Sequence, residues 1–240
     1  DKVAIVTGGT GALGRKIVNK LAEAGVKVYV PALSLEEFNS VFDNSFQNNS
    51  DEFSLRKIFS FVCNATDESS VTEFVKNVSI QEKGRIDFLV NTVGGISKSE
   101  EVIDLTSENL NNMIDLNFKS SFYFSRESLK VMKENSFGRI ISIGAMAALE
   151  VTPGRFAYSF SKAGVIQLMD TISEEMKSFN IRCNTIIPGI IDTPANREWG
   201  SEKDIKKWVS ADEISMIVYR LLSDEFSNVR NSHIKVYGSL

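Results

Sequence analysis

Tyr158 and Lys162 stand four residues apart, one helical turn, so a phenol and an ammonium share a helix face. A free tyrosine keeps its proton to a pKa of about 10, which leaves little phenolate at neutral pH. A cation alongside favours the phenolate. The pair then has the chemistry of a general acid–base that exchanges a proton with a substrate oxygen. The same spacing also suits a core-facing tyrosine beside a solvated lysine, so the rest of the chain has to separate the two readings.

The stretch "KVAIVT" at residues 2–7 runs into "TGGTGALG", Thr7 to Gly14, and then into a helical run with Ile17 and Leu21 on one face. Glycines permit positive φ and close backbone approach, so the helix N–H groups and dipole can receive a pyrophosphate. A glycine-rich turn alone says little. At the first strand-to-helix turn of an alternating chain it points to a dinucleotide.

The alternation is clear. "KVAIVT", "KVYVPA", "IFSFVCN", "DFLVNT", "RIISIG", "RCNTII" and "HIKVYG" read as strands. Several are nearly continuous in apolar residues, as strands buried on both faces are. Between them, Ser34–Glu37 and Ser210–Glu213 read as capping boxes. Val71, Phe74, Val75 and Val78 form one helical stripe; Leu110, Met113, Ile114, Phe118 and Ser121 form another. Residues 48–54, "NNSDEFS", read as a polar surface loop, and residues 191–209 as a long irregular segment of the kind that forms a lid. One α/β domain over residues 1–240, a parallel sheet covered by helices, is expected.

In order along essentially the full length, these features resemble the short-chain dehydrogenase/reductase family. Thr7, Gly8 and Gly14 match its Thr-Gly-x-x-x-Gly-x-Gly, with Ala12 at the middle glycine and Gly11 offering flexibility one residue earlier. "NTVGG" at Asn91–Gly95 matches its turn after the fourth strand. Asn117 falls at its catalytic asparagine, Tyr158 and Lys162 at its Tyr-x-x-x-Lys, and Pro188-Gly189 with Thr193 at its nicotinamide segment. The resemblance implies a Rossmann-type doubly wound parallel sheet and hydride transfer between NAD or NADP and a small-molecule substrate. Asn117, Tyr158 and Lys162 would be catalytic, with Asn117 pinning a local helix distortion. The nucleotide would lie along Gly8, Thr10, Gly11, Ala12, Leu13 and Gly14. It would continue past Asn64, Ala65, Asn91, Val93 and Gly94 to Tyr158, Lys162, Pro188, Gly189, Ile191 and Thr193. A homodimer or homotetramer, packed through the helices of Asn117 and Tyr158, is implied too.

Two positions depart from the family pattern. Ala32 ends the second strand, where an acid would bind the ribose hydroxyls of NAD. Arg15 either approaches a 2′-phosphate or lies solvated, so NAD and NADP both stay open. Ala145, thirteen positions before Tyr158, replaces the family serine that donates to the reacting oxygen. Losing one such donor costs ~10²–10³ in rate. Ser142 should face away by strand alternation, and Thr152 reaches inward only if its loop folds over. A slower carbonyl reductase, a substrate needing no such donor, and a non-catalytic dinucleotide-binding regulatory protein all fit. "GAMAAL", "TPG", "QL" and "DTPANR" resemble the branch that includes dihydropteridine reductase, where alanine holds the serine position and a conjugated quinonoid pterin is reduced. That branch enzyme, however, has the acid that Ala32 lacks, and it lacks the asparagine that this chain keeps.

Bulk composition narrows the partners. The net charge is −4, with 27 basic residues interspersed among 31 acidic ones. No basic block suggests nucleic acid, and no apolar run reaches the roughly 18 residues of a membrane span. With no charged-then-apolar leader ahead of the first strand, a cytoplasmic location is the expectation. Cys63 and Cys183 read as small core residues. The single histidine, His233, reads as structural, and nothing suggests a catalytic metal. Trp199 and Trp208 could stack on a flat substrate or anchor the lid.

Overall fold

A computed structural model describes residues 2–42 and 57–239; the predicted loop at 48–54 lies outside them. Each of the seven predicted strand runs forms a strand: Val3–Thr7 (β1), Lys27–Ala32 (β2), Ile58–Val62 (β3), Phe88–Asn91 (β4), Phe137–Ile143 (β5), Asn180–Pro188 (β6) and Ser232–Val236 (β9). They pair, all parallel, in the order β3-β2-β1-β4-β5-β6-β9. The order turns back between β1 and β4, whose ends meet at Thr7 and Asn91. Ligands of open α/β sheets bind beyond the strand ends at such a reversal.

The side-chain period of two in a strand sorts the core into two layers. Ala4, Val6, Phe88, Val90 and Ile141 face one side. There they meet Ile17, Val18 and Leu21 of α1 (Ala12–Glu23) and Ile214, Val218 and Leu221 of the long C-terminal helix (Ala211–Leu222). Val3, Ile5, Leu89 and Ile140 face the other. Here Val71, Phe74, Val75 and Val78 of Glu68–Gln81 seal the sheet, as their spacing predicts. Phe124 and Met132 of Ser120–Glu134 and Met169 and Ile172 of Phe156–Glu175 complete that layer. Each such side chain, fully buried, contributes about 1.5–3 kcal/mol. Among the described residues no helix is long and apolar enough to cross a membrane.

Three local expectations change. The second predicted stripe is rotated, because a π-helical turn at Ile114–Lys119 separates Ser107–Met113 from Ser120–Glu134. The buried face therefore carries Met113, Asn117, Ser120, Ser121 and Phe124, while Ile114 and Phe118 are only partly buried. Of the two capping boxes, Ser210–Glu213 closes both ways but Ser34–Glu37 closes one way. Ser34 accepts the Glu37 N–H at 3.1 Å, and the Glu37 carboxylate turns elsewhere. Residues 191–209 are more ordered than read. Ile191–Asp192 (β7) pairs in parallel with Val209–Ser210 (β8). Thr193 and Ser201 cap the short helices Pro194–Arg197 and Glu202–Ile205. Those caps satisfy helix N–H groups within each four-residue stretch, which a search for long periodicity passes over.

Candidate active site

The glycine loop sits at the reversal of the sheet. Gly8 has φ +63°, and its carbonyl accepts the Gly11 N–H at 3.0 Å. A Cβ on Gly14 would lie 2.1 Å from that carbonyl oxygen, so helix and turn touch where only glycine fits. Gly11 itself has an ordinary φ of −74°, so it is not what accommodates Ala12. Ala12 is tolerated because it already begins α1 in helical conformation. Gly11 caps α1 without a side-chain hydrogen bond, and the first turn holds no acid. The helix end therefore presents free N–H groups and a positive dipole to an anion, as a pyrophosphate seat requires. Gly14→Ala is expected to weaken dinucleotide affinity at least about tenfold, read by calorimetric titration; unchanged affinity would remove this loop as the seat. Thr7 fixes the neighbouring turn: its hydroxyl accepts the Thr92 N–H at 3.1 Å, and the Thr92 hydroxyl donates to the Thr7 carbonyl at 2.6 Å.

Asn117, Gly94, Gly95 and Lys162 come together at the same end of the sheet. The π turn swings the Asn117 side chain inward, fully buried. Its amide nitrogen donates to the carbonyls of Gly95 (3.1 Å) and Met113 (3.2 Å), and its oxygen accepts the Gly95 N–H at 3.0 Å. That double bond to one residue ties the turn after β4 to the helix. A Cβ on Gly94 would lie 2.7 Å from the Asn117 amide oxygen and 2.9 Å from Lys162 Nζ. Lys162, 5% exposed, donates to the Ile143 carbonyl at 3.0 Å, and burial pulls its pKa down to about 8. Tyr158, one turn earlier on the same helix, is partly buried. Burial raises its pKa, and the Arg155 charge opposes that rise.

The other predicted residues divide. Asn91 is buried, and its amide donates to Ser125 and Ser142, each at 3.1 Å, so its side chain belongs to the interior. Asn64 closes a local turn by accepting from the N–H and hydroxyl of Thr66, and Ala65 packs on the core beside it. The Val93 N–H leans on the Thr7 hydroxyl at 3.4 Å. Pro188 ends β6, and the Gly189 N–H bonds to Val236. Ile191 lies in β7, and Thr193 caps the helix that follows by accepting the Asn196 N–H at 3.2 Å. Ala145 is buried at 6% exposure. Ser142 is taken up by Asn91 and Met169, and Thr152 is exposed, so neither stands in for a serine there. Trp208 is buried and packs at 5.1 Å against Trp199, which is 63% exposed. His233 pairs with Asp170 at 2.8 Å, away from the lysine. Glu37, read only as the end of a capping box, reaches the glycine loop, its carboxylate accepting the Thr10 hydroxyl at 2.6 Å. Its pattern with Ser34 was visible, but not where its carboxylate goes.

A doubly wound parallel sheet with a glycine-capped helix N-terminus at its reversal, and a buried lysine one turn from a tyrosine at the same end of the sheet, defines a dinucleotide-dependent oxidoreductase. Residues 2–204 match the short chain dehydrogenase family. The chain belongs to that family and is an NAD(P)-dependent oxidoreductase. It is 29% identical to the 3-oxoacyl-[acyl-carrier-protein] reductase of Thermotoga maritima, across 100% of this chain and 97% of that protein. Its fold superimposes on the crystal structure of gox2181 with a TM-score of 0.89, at 29% identity over 99% of this chain and 94% of the other. The fold of ElxO, solved with NADP bound, matches with a TM-score of 0.90 at 22% identity, covering 99% of this chain and 97% of that one.

Proposed function

We propose that the protein reduces a small conjugated organic acceptor, such as a quinone or quinonoid heterocycle, with Tyr158 as the proton donor. The observation that carries this is the buried methyl of Ala145, with Ser142 engaged elsewhere and Thr152 exposed. Neither of those two hydroxyls is placed to stand in for the family serine in cradling an alkoxide, and a conjugated acceptor that spreads charge over its ring needs no such donor. The nicotinamide nucleotide, when bound, supplies the hydride. The glycine loop would hold its pyrophosphate, and Lys162, Pro188, Gly189, Ile191 and Thr193 would surround its nicotinamide half. Asn117 ties the turn at Gly94–Gly95 to its helix, Tyr158 passes its proton to the reduced acceptor, and the Lys162 ammonium favours the phenolate left behind. We place the assembly as a homodimer or homotetramer in the cytoplasm. Phe156 and Phe160, stacked at 5.8 Å and half exposed on the Tyr158 helix, offer an apolar face for a second copy.

The second reading is a carbonyl reductase, favoured by the likeness to a 3-oxoacyl reductase. Oxidation of NADH and NADPH by the purified protein, offered quinones, quinonoid dihydropterin, ketones and 3-oxoacyl thioesters, decides between them. Under the first reading, quinones or pterin turn over, ketones do not, and Ala145→Ser gives no gain. Ketone turnover that Ala145→Ser raises about tenfold or more would establish the carbonyl reading instead.

A further inference from the structure

The end of β2 lacks the acid that would hold the ribose of NAD, yet an acid occupies that corner. Glu37, in the first turn of the helix Leu35–Phe42, sends one carboxylate oxygen to accept the Thr10 hydroxyl at 2.6 Å. The other accepts the Leu33 N–H at 3.0 Å. Thr10 belongs to the glycine loop, and Leu33 is the first residue beyond β2. The carboxylate thus bridges the two elements between which an adenosine ribose lies in a doubly wound dinucleotide fold. Its two protein donors leave lone pairs free, since a carboxylate offers about four acceptor sites.

We propose that Glu37 takes the role of the missing acid, accepting the ribose hydroxyls and making the site select NAD(H) over NADP(H). The inference rests on the reading of the glycine loop as a dinucleotide seat. A 2′-phosphate would have to approach a fixed negative charge, and the donors that would otherwise receive it, Thr10 and Leu33, are already committed to Glu37. Glu36, the residue before it in the same first turn, is exposed and adds a second negative charge. Arg15, the nearby cation in the sequence, is exposed on the first turn of α1, one turn beyond Thr10.

The test is calorimetric titration of the full chain with NAD⁺, NADP⁺, 5′-ADP and adenosine 2′,5′-bisphosphate, for the native protein and for Glu37→Gln. Glutamine keeps an acceptor oxygen but removes the charge. The native protein should bind NAD⁺ about 100-fold more tightly than NADP⁺, the separation expected of a like charge held against a phosphate. The two adenosine fragments should divide the same way. Glu37→Gln should cut that ratio at least about tenfold, chiefly by tightening NADP⁺. Equal affinity of the native protein for both nucleotides, or a ratio that Glu37→Gln leaves alone, overturns the proposal and leaves the oxidoreductase reading standing. Binding of neither nucleotide overturns both.

Discussion

Tyr158→Phe should lower turnover about 10³-fold, within the range of 10²–10⁴ contributed by a positioned acid or base, while nucleotide affinity changes less than about threefold. The substitution removes one oxygen from a partly buried ring on Phe156–Glu175. No protein group hydrogen-bonds that hydroxyl among the described residues, so the helix loses little with it. Burial raises the tyrosine pKa and Arg155 opposes the rise, so the hydroxyl is held as a proton donor rather than as phenolate. Steady-state rates on the accepted substrate, together with a binding titration, separate the two effects. A variant that keeps more than a tenth of its turnover would show that the proton comes from another group.

Lys162→Met should move activity and stability in opposite directions. Activity should fall at least about 100-fold, because the buried ammonium one turn after Tyr158 on its own helix is gone. Stability at pH 7 should rise by roughly 2 kcal/mol. Burial takes the lysine pKa from 10.5 to about 8, so the folded protein binds this proton less tightly than the unfolded chain does. Between about pH 8 and pH 10.5 the unfolded chain therefore carries more protons, and stability rises with pH across that window. Below pH 8 the full penalty applies, roughly 3 kcal/mol at 1.36 kcal/mol per pKa unit. About 1 kcal/mol of the gain is returned by leaving the Ile143 carbonyl without its lysine donor. Denaturant unfolding at pH 7 and at pH 10 checks this, since the advantage of the methionine variant should shrink at the higher pH. The same titration predicts that native activity falls as pH rises through about 8 and the ammonium is lost. A variant clearly less stable than the native protein at pH 7 would mean that the lysine is a structural tie and not a buried charge carried for function.

Much of this arrangement was legible in the chain. Strands such as "RIISIG" and "KVAIVT" announce themselves because both faces are buried, and their apolar runs have no other simple use. The glycine turn was legible because its place between strand and helix restricts what it can do. The π turn was not. It slips one residue into the helical register, so a stripe drawn at α-helical spacing put Ile114 and Phe118 on the face that Asn117, Ser120 and Ser121 occupy. Glu37 escaped for a different reason. A capping pattern fixes the spacing of two residues but not which of several nearby donors the glutamate takes, and here it takes the hydroxyl of Thr10, 27 residues earlier, and the Leu33 N–H in place of the Ser34 N–H. The order within residues 191–209 was hidden because four-residue helices leave no periodicity to detect.

The chain's two tryptophans are the pair at 199 and 208, one open to solvent and one shut in, with centroids 5.1 Å apart. Its indole fluorescence therefore arises wholly within the segment that follows Pro188-Gly189, and the rest of the molecule is spectroscopically dark at excitation wavelengths beyond tyrosine. A shift in emission when a ligand is added would report rearrangement of that segment in real time, with no label attached.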